Sequence, residues 1–104
     1  MKKAITAVMT GLMVLGSGAA LAGGDAAAGK TKYAMCKGCH GANGVSKNPN
    51  YPTLAGKSAD ELTKKLKGYR SKEIKNPTMN AMAAGLSDAD IDNLAAYLSS
   101  QKAP

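Results

Sequence analysis

Three observations predict an all-α fold, with three main helices joined by irregular loops. Three stretches carry a helix cap followed by apolar residues at helical spacing. The stretches between them are dense in Gly, Pro and Asn, which interrupt periodic structure. The chain left after an export-type segment is short, 82 of the 104 residues once the first 22 are subtracted. That length makes one compact domain and is too small for two. The core of such a domain is thin, because Phe and Trp are absent and the aromatic residues are Tyr33, Tyr51, Tyr69 and Tyr97 alone. Domains of this size commonly lean on a cofactor, a metal or a disulfide for stability.

Residues 1–22 read as a secretory signal peptide that is cleaved. Lys2 and Lys3 form the charged start, Ala4 to Leu15 the apolar middle, and Ala20-Leu21-Ala22 an A-x-A cleavage site. Residues 4–22 carry no charge and approach the span of a bilayer, so a retained membrane anchor is the alternative. Gly11, Gly16, Ser17 and Gly18 dilute that run, and the cleavage signal follows it directly. The expected mature chain is a single domain, 23–104, exported to the periplasm.

The first helix is predicted from Asp25 to Lys37, with Asp25 as cap and Ala26-Ala27-Ala28 as strong helix former. Gly29 and Tyr33 share one of its faces. A glycine there lets a second helix approach closely, with a large ring beside the contact.

The end of this helix runs into Cys36-Lys37-Gly38-Cys39-His40. Two thiols separated by two residues, followed at once by an imidazole, are spaced for covalent attachment of a haem, with the histidine as axial ligand to the iron. Cys36 and Cys39 reach two vinyl groups on one side of the ring, and His40 sits beside the metal. No other histidine is present to compete. A redox-active thiol pair, a disulfide or a zinc site uses a similar opening. Zinc needs more Cys or His ligands than Cys36, Cys39 and His40 supply. An exported Cys-x-x-Cys tends to oxidise unless other chemistry captures it, and a plain disulfide has no use for the adjacent His40.

Gly41 to Gly56 holds two glycines at its start, Pro49, Pro52 and several Asn residues, and is predicted to be an irregular loop along the haem edge. A second helix starts at Ser58, where Ser58-Ala59-Asp60-Glu61 has the form of a capping box. Leu62, Leu66 and Tyr69 line its inner face, and Lys64, Lys65, Lys67 and Arg70 crowd the solvated remainder. The segment from Asn76 to Gly85 follows as a loop, since Pro77 disfavours helix in the residue before it. Its sulfurs, Met79 and Met82, are soft ligands suited to the side of a haem iron opposite histidine, or else core filling. The third helix follows Leu86-Ser87-Asp88-Ala89-Asp90, with Ser87 as cap and Leu86 stapled to Ile91. Ile91, Leu94, Ala95 and Leu98 form its apolar stripe, with Tyr97 beside it.

The order of these features resembles a small bacterial class I monohaem cytochrome c, over essentially all of 23–104. The residues that carry the likeness are the attachment motif, Gly29 and Tyr33 before it, Pro52-Thr53-Leu54-Ala55-Gly56 in the loop, and Leu86-Ser87-Asp88-Ala89-Asp90-Ile91 leading into Leu94-Ala95-Ala96-Tyr97-Leu98. The resemblance implies a cytochrome c fold around one covalently attached haem c. It implies thioether bonds from Cys36 and Cys39, His40 as proximal iron ligand, and Met79 as distal ligand ahead of the alternative Met82. Pro52, with Pro49 nearby, resembles the loop proline whose carbonyl accepts a hydrogen bond from the ligand imidazole. Gly29, Tyr33, Leu94 and Tyr97 resemble the contact between first and last helices.

The function implied is electron transport, a periplasmic carrier shuttling single electrons between a donor and an acceptor redox protein, rather than an enzyme. An electron-transfer subunit of a redox complex and a ligand-binding or peroxidatic haem protein are the other two readings. Without Lys2 and Lys3 the chain has 12 basic residues against 7 acidic ones, and two haem propionates lower the balance further. Such a charge suits acidic or membrane-bound partners and steers their encounter. Nucleic acid does not fit an exported chain lacking an aromatic and basic stripe. A monomer with no small-molecule substrate is expected.

Overall fold

A computed structural model describes residues 24–104, and the signal peptide predicted over 1–22 lies outside them. The described residues form helices and turns without a strand. The first helix, α1, spans Ala26–Lys32. The Asp25 carboxylate accepts hydrogen bonds from the Ala27 and Ala28 amides at its start. The helix predicted to reach Lys37 stops earlier, and the chain tightens into a 3-10 turn over Tyr33–Met35. A second short helix, α2, then spans Lys37–His40. The break has a tertiary cause. The Tyr33 ring is buried against Tyr97, and its hydroxyl donates to the Gly41 carbonyl at 2.6 Å, turning the chain back on itself.

The loop from Gly41 to Gly56 is irregular apart from a 3-10 turn at Ala42–Gly44. Helix α3 spans Ala59–Ser71. Ser58 Oγ accepts from the Glu61 amide at 3.0 Å, which is one half of the predicted capping box. The Glu61 carboxylate turns instead toward Lys57, 3.9 Å away.

The segment predicted as a methionine loop is a helix, α4, over Pro77–Ala83. Proline disfavours helix only before itself, and at the first helical position its fixed φ and missing N–H suit the start of a helix. Asn76 is extended and caps α4 by accepting from the Met79 amide.

The last helix, α5, spans Asp88–Ser99 and has a complete capping box. Ser87 Oγ accepts from the Asp90 amide, and the Asp90 carboxylate accepts from the Ser87 amide, each at 3.0 Å. The Ser87 amide holds the Asp90 carboxyl below the usual carboxylate range, and the hydrogen bond from Arg70 does the same for Asp88. Both groups therefore favour the folded chain above the ordinary carboxylate range, and that contribution fades as pH falls through their lowered values. Replacing Ser87 with Ala is expected to cost about 1 kcal/mol. In a domain of this size that lowers the melting midpoint by about 5 °C; an unchanged midpoint would mean that water replaces the cap at no cost.

Helix α5 is the centre of the packing. Ile91, Leu94, Ala95, Tyr97 and Leu98 are all buried on it, joined by Tyr33, Leu62, Ala83 and Leu86. It lies against α1 on one side and α3 on the other, and α4 packs on α3. The crossing with α1 is close, because a Cβ on Gly29 would overlap the Asn93 carbonyl and sit 2.8 Å from the Tyr97 Cβ. No helix among the described residues is long and apolar enough to cross a membrane.

Candidate haem site

The attachment motif occupies the turn and short helix that follow α1. Amides of Cys39 and His40 donate to the Cys36 carbonyl, at 3.2 and 2.9 Å, which gathers the three side chains into a single turn. Cys36 is half-buried, Cys39 is exposed, and both are free thiols. Burial pushes the Cys36 thiol above its ordinary value. A nucleophilic redox cysteine needs the opposite shift, toward thiolate. Among the described residues, no three His, Cys, Asp or Glu side chains gather as a structural zinc site would need.

Among the described residues, His40 is the one polar or charged residue that is buried, 7% exposed. Its Nδ1 lies 2.9 Å from the Pro52 carbonyl oxygen. A carbonyl can only accept, so Nδ1 carries a proton, and in the neutral imidazole Nε2 is left with its lone pair. No protein group among the described residues pairs with that Nε2. The Tyr51 ring stands edge-on to the imidazole, with centroids 6.1 Å apart and planes at 70°.

These groups open on a cleft of about 420 Å³. Cys36, Cys39, His40 and Pro52 line it, and so do Met79 and Met82 of α4. The thiols, the imidazole, Pro52 and the two methionines named in the sequence thus meet in one place. The apolar lining is completed by Leu54, Leu62, Leu66, Leu94 and Leu98. Lys57, Glu61 and Lys65 are the charged lining residues. A haem fits this donor set: apolar walls, two free thiols in a single turn, a buried imidazole with an unpaired nitrogen, and thioether sulfurs on a separate helix.

Three contributors had no signal of their own in the sequence. Tyr51 and Asn50 line the cleft only because the loop folds over His40. Asn80 reaches from α4 back to α3, donating to the carbonyls of Tyr69 and Ile74 at 2.8 and 2.9 Å. Tyr33, read as a helix contact, also anchors the turn after His40, and burial lifts its hydroxyl to a pKa of about 12. It is therefore a permanent donor at physiological pH.

Comparison with known proteins adds to this geometry. The cytochrome c family model matches residues 26–102. The chain is 48% identical over 82 residues to cytochrome c-554(548) of Halomonas halodenitrificans, covering 76% of this chain and 99% of that protein. It is 44% identical over 92 residues to cytochrome c4 of Pseudomonas aeruginosa, covering 88% of this chain and 46% of that one. The crystal structure of reduced recombinant cytochrome c4 from Pseudomonas stutzeri superimposes with a TM-score of 0.74 at 40% identity, over 78% of this chain and 47% of that chain. This chain spans about half the length of the cytochrome c4 relatives it matches.

Proposed function

The chain belongs to the cytochrome c family and is an electron-transfer protein of covalently attached haem c, and from that premise we propose that it is a periplasmic carrier of single electrons with His and Met as iron ligands. One observation carries the reading: a buried imidazole with its Nδ1–H committed to Pro52 and its Nε2 unpaired shares one cleft with the thioethers of α4. Cys36 and Cys39 hold the cofactor through thioether bonds. His40 binds iron through Nε2, and the bond to Pro52 keeps its ring in one orientation and makes it a stronger donor. Met79 would supply the sulfur ligand, a choice supported by the resemblance to small cytochromes c, whose distal methionine its position eight residues before Ser87 matches.

When bound, haem c supplies a reversible one-electron couple between ferrous and ferric iron. A thioether ligand favours the ferrous form and raises the potential. With His40 and Met79 both bound to the iron, no ligand position would be left for a substrate, which would separate a carrier from a peroxidatic protein. Leu54, Leu62 and Leu66 keep water from the ring. The net positive charge of the mature chain suits brief, wet encounters with acidic redox proteins.

Carbon monoxide tests this reading. The reduced holoprotein is expected not to bind it at neutral pH, whereas Met79→Ala should bind it when reduced and, when oxidised, lack the sulfur-to-iron absorption band in the red. Avid binding by the unmodified protein would overturn the carrier reading. A band kept in Met79→Ala and lost in Met82→Ala would transfer the ligand role to Met82.

A further inference from the structure

Two methionines three residues apart lie on one face of α4 and line the same cleft. Their backbone positions differ by about 4.5 Å of helix rise. A small slide or rotation of α4 would exchange one sulfur for the other or withdraw both. Something must fix the register of this helix, and its own length cannot. Seven residues make about two turns, too few to be stable without tertiary support.

Asn80 lies between the two methionines, and its amide is used at both ends. The Nδ2 group donates to the Tyr69 carbonyl at 2.8 Å and to the Ile74 carbonyl at 2.9 Å. The Oδ1 atom accepts from the Asn76 amide at 3.1 Å. Asn76 in turn caps α4 through the Met79 amide. Tyr69 belongs to the last turn of α3, where helical carbonyls lack partners within their own helix. Ile74 closes over the same end, its amide donating to the Gly68 carbonyl at 3.1 Å. A single side chain thus ties the start of α4, the end of α3 and the connection between them.

We propose that Asn80 is the positioning residue of the distal ligand, fixing through its three hydrogen bonds the register in which α4 presents Met79 rather than Met82. The proposal rests on methionine ligation. Asn80 is bonded to backbone and not to iron; it acts through the helix that carries the sulfur.

The test uses holoprotein with Asn80→Ala, and Asn80→Asp as a second variant that keeps the side-chain shape and loses both N–H donors. Groups that orient a metal ligand typically contribute about 10- to 100-fold to its affinity. The sulfur-to-iron band is therefore expected to weaken or split in both variants, with apparent carbon monoxide affinity of the reduced protein rising by about 10-fold or more. Removing Met82 as well should abolish any second component of the band. Ser87→Ala serves as the control, since it destabilises the fold without touching this network, and its band and gas binding should match those of the unmodified protein. Unchanged band and gas binding in both Asn80 variants would overturn the proposal, as would equal changes in Ser87→Ala. If the unmodified protein itself lacks the band and binds carbon monoxide avidly, methionine ligation fails, and this proposal falls with it. If Asn80→Ala assembles no holoprotein, Asn80→Asp alone decides.

Discussion

The double variant Cys36→Ala/Cys39→Ala, isolated without haem, is expected to show no cooperative thermal transition. Among the described residues, only Ile91 and Leu94 are large side chains buried almost completely. Leu94 and Leu98 serve the core and the cleft at once. Without the ring, the walls formed by these residues and by Leu54, Leu62 and Leu66 face water. The cleft measures about 420 Å³, and a protein cavity costs about 24 cal/mol per Å³. The product is about 10 kcal/mol at most, since solvent enters an open cleft more easily than a sealed cavity. That is as large as the whole stability of an ordinary small domain, about 5–15 kcal/mol. Circular dichroism during heating is the measurement. A single steep loss of helix in the haem-free variant would show that the helices hold together unaided.

Replacing Gly29 with Ala should unfold the holoprotein at a much lower temperature. Alanine is the better helix former by about 1 kcal/mol, so an isolated α1 would gain from the change. The tertiary contact decides otherwise. The new methyl would overlap the Asn93 carbonyl of α5, and the backbone there cannot swing aside as a side-chain end could. Forced separation of packed elements costs about 1–3 kcal/mol and occasionally more, and here it also disturbs the tilted ring contact of Tyr33 with Tyr97, centroids 5.5 Å apart. A net loss of about 2 kcal/mol lowers the midpoint by about 10 °C. Gly38→Ala is the matched comparison, because nothing lies within 4 Å of a Cβ there. It should be neutral or slightly stabilising. Equal midpoints for the two variants would remove the close crossing from the account.

Much of this fold was legible because caps are local. Asp25, Ser58 and Ser87 each act on amides two or three residues ahead, so a short window of sequence contains both partners. The attachment motif is legible for the same reason. The errors arose where a distant residue intervened. Tyr33 ends α1 because its hydroxyl and ring have partners at Gly41 and Tyr97. Glu61 leaves its capping box for Lys57. Pro77 was read by the residue it discourages rather than by the helix it opens, and Asn76 completed that start. The methionines were visible by their chemistry, but the helix that bears them was not. The bonds from Asn80 to Tyr69 and Ile74 form only after α3 and α4 have met.

The two tyrosine hydroxyls give the chain an order of assembly. Tyr33 reaches the carbonyl of Gly41, and Tyr97 reaches Asn43 at 2.9 Å across 54 positions of sequence. The Asp25 amide, at the start of α1, is likewise bonded to Asn93 of α5, 68 positions away. The turn that follows His40 is thus braced from both ends of the described chain. Contacts of such long separation come with a large loop-closure entropy and form late. The motif turn itself rests on local bonds to the Cys36 carbonyl, so it can form before α5 docks. The bracing of the turn after His40 is complete only when the last helix docks, so a chain cut short before Tyr97 would lack the bond to Asn43.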